Sequence, residues 1–469
     1  MRIATLERER MMIVIEASLM FCLSAAVLAF GGTEPIFFAA IEVLLFAAAA
    51  VAIYCLKDLD WRISWRFVWI PAALVGLVAL QLVPLPARLA GWLRPNPRPW
   101  NLDLPSNPAT SFSSVSIAPY STRAHLLFLA CCVITYFFAR ALGQDRASRR
   151  RLIAWLLILG TFEALYGLVQ YLSGWQRIFA YVKKYNLEEA TGTYVNRNHY
   201  AGFLELIIPF SVALVLYEHA RSWRNGRAAR GMKGIIAGEN LSRIGLRLFA
   251  AIVMLAALIF SRSRMGILAG VASLVVMAMF SGVQRRAGMW IAGATMFCVT
   301  ALVLWIGAGS AFERFGNISN EYASVGESRA SLWKGTAQLI EGHPLFGSGL
   351  GTFPIAFTAV QSTFLGKFVN HAHNDYLEIA NDLGIPAAIL FFGSIVMLFV
   401  RLARKTASAE ARFERAVTLG CMGSIAAILL HSLTDFNLYI PANALLFSLV
   451  LGLASAMCVN GPERAPASI

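Results

Sequence analysis

Long uninterrupted apolar runs constrain this chain more than any other feature of its sequence. Many of them approach the roughly 20 residues that a helix needs to cross the hydrocarbon core of a membrane, and they are apolar on every side. A β-barrel would need segments of about ten residues that alternate in hydropathy, and the sequence shows no such pattern. Only 14% of the residues are charged, against about 25% in soluble domains. The sequence therefore predicts an all-α, polytopic integral membrane protein with about twelve transmembrane helices.

The apolar runs also set the domain organisation. The predicted spans cover residues 12–30, 36–56, 66–83, 122–140, 152–172, 199–217, 246–261, 265–281, 288–307, 376–400, 415–434 and 441–459. We interpret 1–469 as a single membrane domain with a large inserted loop at 308–375. Within this loop, Glu327 to Glu341 is predicted to form a short helix that lies on the outer leaflet, because Gly342 and Pro344 follow its apolar residues and end the helix.

The distribution of basic residues predicts the orientation of the spans. With the N-terminus in the cytoplasm, 26 of the 40 lysines and arginines lie in or beside cytoplasmic segments, as the positive-inside rule requires. Both termini are then cytoplasmic, and the loop 308–375 lies outside. The net charge of +14 suits contact between the inner loops and anionic membrane lipids. No basic segment has the interleaved aromatic residues of a nucleic-acid-binding surface, so we expect no nucleic-acid partner.

Two short segments on the predicted outer side are rich in arginine. Asn196, Arg197 and His199 lie together at the start of the sixth span, and Arg262 and Arg264 occupy the tight turn after the seventh. Each segment has a simpler interpretation, which is a helix cap in the first case and contact with lipid phosphate in the second. Two arginines in a short outer turn nevertheless run against the positive-inside rule. They are therefore predicted to bind an anionic substrate group.

A histidine-containing segment precedes the tenth span. His371 and His373 are followed by Asn374, Asp375 and Glu378, and the two acids share one face of a helix. Asn374 or Asp375 could cap that helix, and a His-x-His pair followed by an acid could bind a metal ion. A general base is the better use of a histidine here, because histidines titrate near neutral pH.

Arginines together with a histidine suit transfer from a diphosphate-linked donor. Arginine binds phosphate oxygens bidentately and keeps its charge, so it also neutralises a departing diphosphate. A diphosphate leaves readily, whereas an acceptor hydroxyl is a poor nucleophile and needs a base. The charge-based orientation places both kinds of residue on one side of the membrane.

Two short motifs among these residues fit a known family pattern. His373, Asn374 and Gly384 meet the pattern of His, then Asn, Ser or Gln, then nine residues, then Gly. Arg264 and Leu268 meet an Arg-x3-Leu pattern. On these residues the chain resembles the O-antigen ligase family, which also includes O-antigen polymerase-like proteins.

The resemblance implies a glycosyltransferase of the bacterial inner (cytoplasmic) membrane, with its catalytic region at 191–400. Its donor would be a glycan linked to undecaprenyl diphosphate, its acceptor lipid A-core or another glycan, and its chemistry an inverting transfer that uses neither a cofactor nor a metal ion. Arg197 and Arg264 would hold the diphosphate, with Arg262 as a further candidate, and His373 would be the general base. Supporting residues would be Asn196, His199, Arg329, His371, Asn374, Asp375 and Glu378.

Three alternatives stay open at this point. Ligase and polymerase members share the motifs, so the acceptor could be another lipid-linked repeat unit. A pilin-type oligosaccharyltransferase would transfer the glycan to a protein. A polysaccharide lipid transporter or flippase would also suit twelve helices, and it could use Glu16, Glu42 and Glu163 as acids within the spans.

Overall fold

Helices account for nearly all regular structure in the described part of the chain. The computed structural model describes residues 2–56, 68–86, 89, 93, 112–228, 238–281, 329–361, 368–408 and 412–458. In chain order the helices are α1 (Arg2–Leu28), α2 (Pro35–Leu56), α3 (Trp69–Leu82), α4 (Pro119–Gln144), α5 (Arg146–Ser173), α6 (Arg197–Ala228), α7 (Gly238–Phe260), α8 (Arg264–Phe280), α9 (Arg329–Gly342), α10 (Phe353–Phe357), α11 (Asp375–Leu383), α12 (Ile385–Ser408), α13 (Arg412–His431) and α14 (Pro441–Met457).

The remaining regular elements are short. Strand β1 (Leu85–Pro86) pairs antiparallel with β2 (Phe112–Ser113), and β3 (Arg177–Ile178) pairs antiparallel with β4 (Tyr181–Val182). Single 3-10 turns lie at Phe30–Gly32 and Asn437–Tyr439. The apolar residues of the long helices form one continuous core, to which α1, α6, α13 and α14 contribute many fully buried side chains.

The helices agree with the predicted spans at the level of a polytopic membrane protein. Eight of the described helices are long and apolar enough to cross a membrane, and α3, α8 and α14 are shorter apolar helices. The predicted span 288–307 lies outside the described residues, the span 376–400 is divided between two helices, and every other predicted span falls on one helix. The all-helical, membrane-spanning architecture is therefore confirmed for the described part of the chain.

The predicted span 376–400 is wrong in one respect, because it is divided between α11 and α12. The break falls at Gly384, whose φ of +88° is a conformation that favours glycine. A Cβ atom there would lie 2.3 Å from the carbonyl oxygen of Leu345. Only α12 has the length and apolar character of a span, because α11 carries the acids that face the interior.

The structure has the short helix predicted in the long loop, and its contact with the outer leaflet stays a prediction. Helix α9 extends from Arg329 to Gly342, whereas the first two residues of the predicted helix lie outside the described residues. Leu332 and Leu339 on its apolar face are buried. They pack in a small separate core with Phe353 and Phe357 of α10. The apolar face is therefore covered by protein, because α10 folds back against it.

Loops from distant parts of the chain meet at one end of the helix bundle. The Thr193 hydroxyl donates to the Val27 carbonyl at 2.8 Å, which joins the α5–α6 loop to the end of α1. The Tyr194 hydroxyl lies 3.0 Å from Asn443 Oδ1, and Asn443 Nδ2 donates to the His199 carbonyl at 2.8 Å. We call this the loop end, defined by these five residues.

Basic residues gather at the opposite end of the bundle. Arg149 pairs with Glu414 at 3.2 Å, and Arg151 forms a bidentate pair with Glu16 at 2.6 Å. These arginines are among those that the charge bias assigns to the cytoplasm. The separation of the two ends agrees with the predicted orientation, in which the loop end faces outward.

Cysteine labelling tests this orientation. Tyr185 is exposed in the α5–α6 loop, and Ala147 is exposed at the start of α5 at the basic end. We expect a membrane-impermeant maleimide to label Tyr185→Cys in intact spheroplasts and Ala147→Cys only after lysis. Labelling of the unsubstituted protein gives the background from the native cysteines. The reverse pattern would overturn the orientation.

Candidate active site

Three histidines surround one buried aspartate at the loop end. Asp435 lies in the α13–α14 loop, and only 1% of its side chain is exposed. His373 Nδ1 lies 3.5 Å and His199 Nε2 lies 3.8 Å from Asp435 Oδ1, and His431 Nε2 lies 3.9 Å from Asp435 Oδ2. We call these four residues the Asp435 cluster. They bring together three separate segments of the chain, because His431 and Asp435 are only four residues apart.

Hydrogen bonds fix the segment that carries His373 against the α13–α14 loop. Asn374 caps α11 by accepting from the Leu377 amide at 3.0 Å, and its Nδ2 donates to the Leu433 carbonyl at 3.0 Å. The Ser432 hydroxyl donates to Asp375 Oδ2 at 2.7 Å. Of the two predicted caps, Asn374 is therefore the one used, whereas Asp375 ties α11 to the loop that holds Asp435.

The Phe436 ring organises the histidines around it. His371 stacks on this ring with the centroids 3.9 Å apart and the planes 12° from parallel. His199 and His373 meet it edge-on, with centroid distances of 4.7 Å and 4.8 Å. An apolar ring at this position keeps water away from Asp435 and restricts how the histidine rings rotate.

The cluster is arranged as a base supported by an anion. Burial alone would raise the pKa of Asp435, but the facing imidazole of His373 and the charges of His199 and His431 lower that pKa well below its usual range, so Asp435 is ionised. His373 is 35% exposed, far more than the other members. With Nδ1 facing Asp435, the other ring nitrogen of His373 is left for a substrate proton.

The backbone at His373 is strained. Its φ of +50° lies in the left-handed region, which residues other than glycine and asparagine occupy at a cost of about 1–2 kcal/mol. The Asn374 bonds and the Phe436 contact hold it there. Strain of this kind gathers at functional sites, where the surrounding structure over-determines one side-chain position.

His371 forms a second pair behind the cluster. Its Nδ1 lies 2.7 Å from Glu378 Oε1, and the Ala372 amide donates to Glu378 Oε2 at 2.8 Å. Burial raises the pKa of Glu378 to about 8 and lowers the pKa of His371 to about 4. The pair is therefore neutral near pH 7, with the carboxyl O–H of Glu378 donating to His371.

A glutamine at position 378 should preserve this pair, whereas alanine should not. Glu378→Gln can donate to His371 and accept from Ala372, while Glu378→Ala leaves buried groups unpaired and should destabilise the fold by about 1–3 kcal/mol. In the folded protein the pKa of Glu378 is raised from 4.5 to about 8. The protonated carboxyl therefore contributes its full stability below about pH 4.5, and this contribution is lost as the pH rises toward 8. The unfolding temperature, measured in detergent, should therefore fall less between about pH 5 and about pH 8 in Glu378→Gln than in the wild type. A larger loss than in the wild type would contradict the neutral pair.

The third acid on this face of α11 anchors the glycine turn. Asp382 Oδ2 accepts from the Gly351 amide at 2.7 Å and from the Tyr439 hydroxyl at 2.9 Å. Asp375, Glu378 and Asp382 are all buried, as their shared spacing predicts. Asp382 therefore holds the glycine turn before α10 against α11 and the α13–α14 loop.

Arg197 lies beside the Asp435 cluster in sequence and in structure. It is the first residue of α6, two positions before His199, and it pairs with Glu189. Asn196 accepts from the Asn198 amide at 2.8 Å, so it has the capping role that the simpler interpretation gives it. The start of α6 thus presents a half-exposed guanidinium at the loop end.

The α7–α8 turn packs against the first turns of α6. A Cβ atom at Gly266 would lie 2.6 Å from the side chain of Ala201 and 2.9 Å from that of Glu205. Arg264, the first residue of α8, is exposed at this turn. Arg262 has a φ of +52° and lies 3.4 Å from Glu188. Arg262 and Arg264 therefore lie at the start of α8, which packs against the first turns of the helix that begins with Arg197.

The remaining predictions are met unevenly. Arg329 begins α9 and is exposed, and none of its described contacts joins it to the Asp435 cluster. Within the described residues, no group of three histidine, cysteine, aspartate or glutamate side chains is arranged to hold a metal ion.

Sequence reasoning missed Asp435, Phe436 and Glu205. The available signal was the spacing of four between His431 and Asp435 at the outer end of an apolar span, a spacing that brings two helical side chains together. Glu205 was equally visible as an acid inside the sixth span.

Comparison with known proteins supports the resemblance drawn from the motifs. No curated protein matches the chain. A family model described as O-Antigen ligase matches residues 249–392, a stretch that contains Arg262, Arg264 and His373. The matched stretch ends before Asp435 and begins after Arg197. The resemblance predicted from the motifs is thereby confirmed over residues 249–392, which match the O-antigen ligase family model in this multi-helix membrane protein.

Proposed function

We propose that the chain is an inverting glycosyltransferase that moves a glycan from undecaprenyl diphosphate to an acceptor hydroxyl on the periplasmic face of the inner membrane. The proposed acceptor is lipid A-core, as in an O-antigen ligase. One observation carries the proposal, which is the half-exposed His373 backed by the buried Asp435 at 3.5 Å. The family match and the outward orientation predicted from charge support it.

The reaction assigns one role to each group. The acceptor O–H gives its proton to Nε2 of His373 while its oxygen attacks the anomeric carbon of the donor sugar. The bond from that carbon to the diphosphate oxygen breaks, and undecaprenyl diphosphate leaves with the electron pair. Asp435 stabilises the imidazolium that forms. Arg197 and Arg264, with Arg262 as a further candidate, hold the diphosphate and neutralise its growing charge.

Reconstituted transfer tests this function. Purified protein is mixed in proteoliposomes with undecaprenyl-diphosphate-linked glycan and lipid A-core, and both the glycosylated acceptor and the released undecaprenyl diphosphate are measured. We expect the two products in equal amounts. Movement of intact donor across the bilayer, without cleavage of the diphosphate bond, would instead identify a transporter.

The same assay separates the ligase from the polymerase. If two lipid-linked glycans are joined in the absence of lipid A-core, the acceptor is a lipid-linked repeat unit and the protein is a Wzy-type polymerase. Glycan found on a protein would identify an oligosaccharyltransferase. The His373–Asp435 pair performs the same proton transfer with each acceptor, so these outcomes change the substrate and not the mechanism.

Lysine at position 264 should be a poor replacement for arginine. A guanidinium binds two phosphate oxygens in a fork, whereas an ammonium acts as a point charge. Loss of one charge-assisted hydrogen bond costs about 1.5–3 kcal/mol, so kcat/KM for Arg264→Lys should fall about 10- to 150-fold. Arg146→Lys, which changes an exposed arginine at the opposite, basic end of the bundle, is the matched control. Near-normal transfer by Arg264→Lys would show that Arg264 contacts lipid instead.

A further inference from the structure

Glu205 is an acid buried inside a membrane-spanning helix. It lies eight residues after the first residue of α6, about 12 Å along the helix, and it is fully buried. His431 Nδ1 lies 3.0 Å from its Oε1 and 3.2 Å from its Oε2. An ionisable side chain at such a depth is costly and marks a functional position by default.

His431 extends this pair to the active site. Its other ring nitrogen, Nε2, faces Asp435 Oδ2 at 3.9 Å, and both atoms are buried without a hydrogen bond within the described residues. Asp435 Oδ1 in turn faces His373 Nδ1 at 3.5 Å. Glu205, His431, Asp435 and His373 thus form a line that runs from the buried interior to a half-exposed side chain.

Helix packing does not require the Glu205–His431 pair. Helices α6 and α13 already pack tightly, because a Cβ atom at Gly420 would lie 2.4 Å from the Phe210 ring and one at Gly423 would lie 2.7 Å from Pro209. The Ser424 hydroxyl also donates to the Leu206 carbonyl at 2.7 Å across the same interface. An apolar pair would serve packing equally well, so the polar pair points to another role.

We propose that Glu205 and His431 are positioning residues that hold Asp435 toward the general base. The inference rests on the function proposed above. If Glu205 is ionised, it accepts from Nδ1, and the second carboxylate, Asp435, which faces Nε2, favours a proton on that nitrogen as well. If Glu205 is protonated, it donates to Nδ1 and leaves the proton of neutral His431 on Nε2. Both arrangements direct an N–H of His431 toward Asp435 Oδ2, so the carboxylate is held from behind while its other oxygen faces His373.

Other titratable groups face Glu205, His431, Asp435 and His373, and they contribute to the pH dependence of transfer. His199 of α6 and Asp375 of α11 act on His431, and His199 also faces Asp435. These groups are unchanged in the variants below. The pH profile of transfer in the variants therefore reports the loss of Glu205 and His431 together with its effect on these neighbours.

Variants that remove both partners test the role without leaving an unpaired buried charge. Glu205→Met combined with His431→Phe should fold, because replacing a buried polar pair with apolar residues of similar volume is often neutral. We expect turnover to fall about 10- to 100-fold, the usual effect of losing a group that orients a reacting residue, while donor affinity stays unchanged. Glu205→Gln alone should retain most of the turnover, because its amide donates to His431 Nδ1 as a protonated Glu205 would.

The control and the double variant separate positioning from stability. Ser424→Ala breaks a bond across the same interface, and it should lower thermal stability without lowering turnover per folded molecule. In an Asp435→Ala background, Glu205→Met combined with His431→Phe should cause no further loss of turnover, since the effect of the pair passes through Asp435. Wild-type turnover in the well-folded Glu205→Met, His431→Phe protein would overturn this inference but not the proposed function. Losses of turnover that add fully to that of Asp435→Ala would do the same. Absence of glycan transfer by the wild type, or full activity of a His373 variant, would instead overturn the proposed function.

Discussion

Replacement of His373 is expected to abolish most of the turnover while leaving donor binding intact. If His373 removes the acceptor proton, its loss should lower kcat about 10²- to 10⁴-fold, the usual contribution of a general base. The arginines that are proposed to bind the diphosphate are untouched by the change. Donor affinity, measured with a fluorescent lipid-linked glycan on purified protein, should therefore match the wild type.

The backbone at residue 373 decides which substitution gives the sharper test. Its φ of +50° suits asparagine better than alanine, so His373→Asn should keep the fold at wild-type stability. An asparagine amide cannot accept the proton, and His373→Asn should be as inactive as His373→Ala. Active His373→Asn protein would show that the histidine only shapes the turn. Loss of wild-type activity on addition of a chelator would point to a metal ligand instead.

The helices were predictable because a membrane imposes a strong, local signal. About twenty consecutive apolar residues are enough to locate a span, and no knowledge of tertiary contacts is needed. The division at Gly384 was not predictable in the same way, because the apolar pattern continues across it. The φ of +88° there depends on the close approach of Leu345, a contact between segments far apart in sequence.

The site was predictable where chemistry and position coincide in the sequence. His373 combines a polar segment, a predicted outer location and a family motif, and each can be read locally. Asp435 shares the predicted outer location but belongs to no family motif, and a single aspartate after a helix is read as an ordinary loop residue. Its role depends on three histidines from α6, the α11 segment and α13, which only the folded chain brings to within 3.9 Å.

Asparagine at position 435 is expected to be nearly as damaging as loss of His373 itself. The change is almost isosteric, so the packing against Phe436 is preserved. The new amide N–H can face His373 Nδ1, which then becomes the acceptor and leaves the ring proton on Nε2. A proton on Nε2 blocks removal of the acceptor proton, because this is the nitrogen that must receive it. We expect a fall in kcat of about 10²- to 10⁴-fold with unchanged donor affinity.

The losses of turnover caused by His373→Asn and Asp435→Asn should also not be additive. If Asp435 acts only through His373, the double variant His373→Asn with Asp435→Asn should be no slower than His373→Asn alone, because residues that act as a unit show grossly non-additive effects. Turnover of the two single variants and the double variant on purified, well-folded protein gives this comparison. Equal turnover of Asp435→Asn and wild type would show that His373 works without its anion. Independent, multiplying losses would assign Asp435 a second role, such as a direct contact with the acceptor sugar.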